Sequence, residues 1–183
     1  MQQAEADTLY DQGTELTLLT QLLDRLDNTI VLDVGAEKGK FVRALLRAGA
    51  EGVYAIEPFP SNVEALQAEF GDLPTVRILA MALGAHDDAV QLHIVEDKTG
   101  RLPDAYHSLV AFEETPTLRM VGEVPVQCRS LDSLVAEGAI PAVAGILKID
   151  TERADFDVFA NRPTLTARDI VPLVWRTAAW TGA

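Results

Sequence analysis

The chain has 183 residues, little more than one typical domain, and is 48% hydrophobic against 23% charged, which is enough apolar material for one core and too much for a disordered chain. Its 28 acidic and 15 basic residues leave a net charge of −13, which opposes any binding mode built on neutralising phosphates, so nucleic acid is not an expected partner. A single cysteine, Cys128, excludes an internal disulfide; the opening MQQAEADTLYDQ has neither the basic nor the apolar part of a secretory signal, and the apolar run 138–147 stops at Lys148, short of the roughly 18 residues of a membrane span, so a cytoplasmic protein with no membrane partner is expected.

Leu16, Leu19, Leu22, Leu23 and Leu26 recur at helical spacing and predict an amphipathic packing helix over 14–27, with Asp24, Arg25 and Asp27 outward. Residues 29–34, β-branched and without alternation, suit a strand buried on both faces of a parallel sheet. Gly35 ends that strand, and Phe41, Ala44, Leu45 and Ala48 set a helix over 39–48 with Gly49 at its C′ position. A second buried strand is expected at 52–57, followed by a helix opened by a Ser61/Glu64 capping box and stopped by Gly71. With a third strand over 75–83 the pattern is β-α-β-α-β, which implies a parallel sheet with crossover helices.

Beyond Gly84 the texture changes. Segments 91–95 and 124–128 alternate like exposed strands and are expected to pair antiparallel, with the polar, turn-rich stretch 96–120 between them as a candidate substrate flap. A short helix over 132–137 precedes Gly138, and 144–150 is a fourth buried strand. The tail 162–183 carries three arginines against one aspartate and both tryptophans; 170–175 has strand composition, but Pro172 argues against a place in a central ladder. This divides the chain into a packing helix at 1–28, a main domain at 29–161 and an atypical tail at 162–183, whose apolar residues are expected to cover the sheet edge or mediate self-association.

The strongest constellation is VLDVGAEKGKF, a strand leading through Gly35 and Gly39 into a helix, where backbone can approach a ligand closely and free N–H groups are presented. Glu57 ends the next strand, where doubly wound sheets place an acid on the hydroxyls of a ribose. The glycine spacing is not that of a nicotinamide-binding turn, and Asp33 ahead of Gly35 suits a cationic amine and sulfonium better than a pyrophosphate, which a carboxylate repels. Lys148, in a buried strand, requires an acidic partner, with Asp150 or Asp155 as candidates. Asn62 suits a capping role, Phe59 and Met81 suit either the core or an adenine pocket, and Cys128 suits the core.

Four segments, VLDVGAEKGKF, YAIEPFPSNVEAL, RILAMALG and LKIDTERAD, with VPVQCRSLDSL ahead of the last, together resemble the FkbM family of class I S-adenosylmethionine-dependent methyltransferases. The resemblance implies an α/β fold: a Rossmann-like, doubly wound, mostly parallel sheet, here incomplete at the C-terminal edge because little strand material follows Phe159. It implies S-adenosyl-L-methionine as cofactor, held by Asp33, Gly35, Ala36, Gly39 and Phe41, by Glu57, Pro58 and Phe59, and near adenine by Ala82 and Leu83. Asp150 and Glu152 are the candidates to orient or deprotonate an acceptor hydroxyl of a sugar or polyketide-like small molecule, with His107 reaching in from the flap; no metal is implied. Arg153 stands where the family signature has glycine, and Asp155 where it has glutamate. The alternative is a non-catalytic remnant that binds the cofactor or serves a structural role.

Overall fold

The computed structural model describes residues 16–99, 107–110, 115–151 and 158, and the backbone of 171–174. Helix α1 (16–23) is followed by β1 (Ile30–Val34), α2 (Lys40–Arg47), β2 (Gly52–Ile56), α3 (Pro60–Phe70), β3 (Val76–Leu79), β4 (Ala82–Leu83), β5 (Asp88–Asp97), β6 (Leu118–Arg129), α4 (Leu131–Ala136), β7 (Ile146–Ile149) and β8 (Val171–Val174). The main sheet runs β3-β2-β1-β7-β8, parallel throughout, with the first-entered strand central as in doubly wound topologies.

Apolar runs in β1 and β7 are buried on both faces. Below one face Leu19, Leu23, Phe41, Leu45, Leu66 and Phe70 bring α1, α2 and α3 against Val31, Val53 and Ile146; on the other, Leu131 and Leu134 of α4 close over Leu32, Leu147 and Ile149. Stripping an apolar side chain of this size from water stabilises by about 1.5–3 kcal/mol, so the two layers anchor the strand ends that carry the site.

Four boundaries differ from the sequence expectation. The stretch 75–83 is two strands: after Leu79 the chain turns, with Met81 N–H on the Leu79 carbonyl (3.0 Å), and β4 leaves the main sheet to pair parallel with β6 in a second sheet of order β4-β6-β5. Strands β5 and β6 do pair antiparallel but are much longer than the alternating cores, taking in both ends of the supposed flap, with a register shift between Ile94 and Val95. Helix α3 opens at Pro60 without a side-chain cap, because proline at the first helical position needs no N–H partner, so the capping box is not used. Helix α1 ends ahead of the expected 27, turning out of helix after residue 23.

Backbone pairing of β8 with β7 sets Pro172 opposite Leu147. The strand lies at the sheet edge among the described residues, where a residue without an N–H is tolerated. The tryptophans of the tail and its proposed apolar cover lie outside the described residues. Deleting 163–183 strips β8 from β7 and is expected to lower both melting temperature and solubility, read by thermal scanning and light scattering; a truncated chain as stable and as monomeric as the full one would show that β8 contributes nothing.

Candidate active site

The carboxyl ends of β1, β2, β3 and β7 are laced together one peptide beyond the ladders. Gly35 N–H and Ala36 N–H both donate to the Ile56 carbonyl (2.9 and 3.2 Å), Asp150 N–H to the Val34 carbonyl (2.9 Å), and Glu57 N–H to the Leu79 carbonyl (3.1 Å). This row opens into a cleft whose acidic lining is Glu37, Glu57 and Asp150 and whose apolar walls include Met81, Leu83, Leu92 and Leu109. Gly35 is in the left-handed region (φ +77), and a Cβ there would fall 1.8 Å from the Asp150 carbonyl oxygen, so only glycine lets β1 and β7 close at this point.

Glu57 is 4% exposed yet forms part of the cleft wall. One carboxylate oxygen accepts from Glu37 N–H (2.8 Å), and the other from Phe59 N–H (2.9 Å) and Asn62 Nδ2 (3.4 Å). Burial pushes its carboxyl above the ordinary range, while these donors and Lys148 pull it back. Three of the carboxylate's roughly four acceptor directions are taken, so the group is clamped in orientation with one left for a ligand hydroxyl.

Asp33 lies below this surface, 0% exposed, in register with Lys148 on the neighbouring strand. Because paired residues of a parallel ladder share a face, Lys148 Nζ meets Asp33 Oδ1 at 2.9 Å; of the partners the sequence suggested, Asp150 adds its charge and Asp155 lies outside the described residues. It also donates to the Gly35 carbonyl (3.1 Å) and lies 4.5 Å from the centre of the Phe41 ring. Burial opposes charge on this lysine, but Asp33 and Asp150 outweigh it and hold the ammonium above the usual lysine range. Burial likewise works against charge on Asp33, whose carboxylate is kept by that same ammonium; at contact distance in so dry a place the direct attraction decides, and the two form a buried ion pair.

Of the residues expected at the site, Gly35, Glu57, Pro58, Ala82, Leu83, Asp150 and His107 line the cleft. Asp33, Ala36 and Phe41 are buried under it; Gly39, also buried, packs against Phe70 and Leu66. Phe59 sits behind His107, with ring centroids 4.0 Å apart, and Glu152 lies outside the described residues. His107 and Leu109, within the stretch 96–120, line the cleft: Ser108 bridges to His93 in antiparallel fashion, and the Val95 N–H freed by the register shift donates to His107 Nδ1 (3.2 Å). That bond places the neutral imidazole's proton on Nε2. Glu37 and Thr151 are cleft residues the sequence did not single out; for Glu37 the available signal was its place between two turn glycines. Asn62 binds Glu57 instead of capping α3.

The family model of the Methyltransferase FkbM domain matches residues 33–173, most of the chain and the carboxyl ends of the strands that build this cleft. The chain belongs to the FkbM methyltransferase family. Its fold is the Rossmann-like α/β arrangement that its sequence resemblance implied. No curated protein matches the chain as a close relative. Among solved structures, the "putative RNA methyltransferase PH1948 from Pyrococcus horikoshii" aligns at 26% identity and a TM-score of 0.31, over 35% of this chain and 32% of that one. The chain therefore matches about a third of that protein's length. Among the described residues, no helix is long and apolar enough to cross a membrane.

Proposed function

We propose that this FkbM methyltransferase binds S-adenosylmethionine in the cleft and methylates a hydroxyl of a small molecule such as a sugar or a polyketide-like acceptor. The observation that carries the cofactor assignment is Glu57, oriented by three N–H donors at the end of β2, beside a turn where Gly35 leaves no room for a side chain. The donor set fits: Glu57 offers an acceptor for ribose hydroxyls, the acidic lining favours a sulfonium over a pyrophosphate, and Ala82, Leu83 and Met81 offer an apolar seat for a purine. When bound, the cofactor supplies an electrophilic methyl group.

The chain's own residues then position and deprotonate. Asp150, fixed through its N–H to Val34, is the carboxylate in the cleft with the place to take a hydroxyl proton. His107, with Nδ1 occupied, offers Nε2–H as a donor to orient the acceptor oxygen rather than a base. The walls of Leu83, Leu92 and Leu109 exclude water that would otherwise compete.

Titration calorimetry with S-adenosylmethionine and with NAD on one preparation tests the cofactor. We expect binding of the first alone, weakened 10- to 150-fold in Glu57→Gln, about 1.5–3 kcal/mol for a charged acceptor replaced. Affinity for NAD, or no change in that variant, would refute the site; methylated product from a panel of hydroxyl acceptors, read by mass spectrometry, separates the enzyme from a non-catalytic remnant.

A further inference from the structure

Phe59 stands between two prolines where the chain leaves β2 for α3. Pro60 confines the residue before it to extended backbone, and Phe59 has φ −76 and ψ 119. Its N–H donates to the Glu57 carboxylate (2.9 Å), and its carbonyl accepts from Asn62 N–H and Val63 N–H (both 3.0 Å), so the main chain is fixed on both sides of the Cα. From this rigid base the ring reaches the His107 imidazole, with centroids 4.0 Å apart and planes inclined by 57°.

His107 is also held from the second sheet. On β5, His93 N–H donates to the Ser108 carbonyl (2.8 Å), an ordinary ladder bond; two residues on, Val95 N–H is met by the His107 imidazole at Nδ1 (3.2 Å) instead of by a carbonyl. One bond to one ring atom, at the long end of the range for an N–H donor, leaves the imidazole able to rock about that bond. A second ring packed against it removes this freedom. A tilted aromatic pair in contact favours the packed arrangement by about two- to tenfold, enough to decide how often a single long hydrogen bond is made.

We propose that Phe59 is a positioning residue for His107: its ring keeps the imidazole on Val95 and so keeps the proton on Nε2, on a side chain that lines the cleft. Its role in catalysis rests on the methyl transfer and the donor role of His107 proposed above. Because the N–H of the same residue clamps Glu57, the acid assigned to the ribose and the histidine assigned to the acceptor share one rigid support. Phe59 thus serves the acceptor side of the cleft, where the sequence resemblance implied a cofactor contact.

Amide hydrogen exchange of the ligand-free, full-length protein, read residue by residue by NMR at pH 7, tests the contact. Phe59 is half-buried and lies outside both core clusters of the described residues, so Phe59→Leu leaves the core intact. In that variant Val95 N–H should exchange about two- to tenfold faster than in wild type, towards the rate in His107→Ala, and Phe59→Tyr, which keeps the ring, should restore it. His93 N–H, bonded to a backbone carbonyl, is the internal reference and should not change. An unmoved Val95 rate, or equal acceleration at His93 and Val95, would overturn the role, the second outcome because it marks general loosening of β5.

Turnover supplies the other half of the test, measured at saturating S-adenosylmethionine on the panel of hydroxyl acceptors. The rate kcat should fall about two- to tenfold in Phe59→Leu and recover in Phe59→Tyr, and Phe59→Leu should cost nothing further once His107→Ala is present. Independent, multiplying losses would overturn the role. No turnover by wild type would overturn the methyl transfer reading and the catalytic role with it, and the exchange pattern distinguishes that failure from a Phe59 that does not hold His107.

Discussion

Gly35→Ala is expected to destabilise the protein by about 3 kcal/mol or more and to abolish measurable cofactor binding. The new methyl would sit 1.8 Å from the Asp150 carbonyl oxygen and 2.9 Å from its carbon. Both are backbone atoms, so relief requires β1 and β7 to part where Asp150 N–H bonds to Val34. Gly49→Ala is the control. Its φ of +92 is as unsuited to alanine, but nothing lies within 4 Å of the added carbon, so it bears only the conformational strain of about 1–2 kcal/mol. In a chain of this size each kcal/mol moves the melting temperature by about 2–4 °C, so the first variant should lose about 10 °C and the second about half of that or less. Equal losses would show that the close approach to Asp150 is not what requires glycine.

That contrast shows what the sequence carried and what it did not. Strands buried on both faces read as unbroken apolar runs, and glycines punctuate them, so β1, β2, β7 and the turn at Gly35 were legible, as were Glu57 and Asp150 at the strand ends. Which strand neighbours which is not written locally. The partner of Lys148 follows from β7 lying beside β1 in a register that sets it opposite Asp33, and no spacing within the chain reveals that register. The same fact decides which acid faces the cleft: within a strand, alternation sends Asp33 to the face of Val31, Phe41 and Lys148, whereas the turn past Gly35 brings Glu37 around to the cleft. The break at Leu79 was illegible for a related reason. Residues 75–83 have strand composition throughout, and the chain changes sheets only because the distant β6 offers Ala82 and Leu83 a partner. Polar residues in the exposed stretches of β5 and β6 masked their length, since a strand with one wet face keeps no continuous apolar signal.

The buried pair beneath the turn yields the other large effect. Lys148→Met keeps the bulk of the side chain but removes the ammonium from Asp33, from the Gly35 carbonyl and from the face of Phe41. A buried ion left without its partner costs about 3–5 kcal/mol, more than the pair itself contributes, because the remaining charge keeps its desolvation penalty and loses its attraction. Asp33 can escape by taking up a proton, which fixes the sign of the pH dependence. With its carboxyl raised in the folded state and ordinary in the unfolded one, the variant is close to wild type in acid and loses stability as pH rises above the usual carboxylate range. Asp33→Asn/Lys148→Met replaces the stranded charge by a neutral amide and should recover at least half of the loss at pH 8, while still weakening the cofactor because the Gly35 carbonyl has lost its donor. Denaturant titrations of the three proteins at pH 5 and pH 8 measure this directly. Equal, pH-independent destabilisation in the single and double variants would mean that Lys148 acts through its packing alone, and that the charge on Asp33 does not bear on the turn above it.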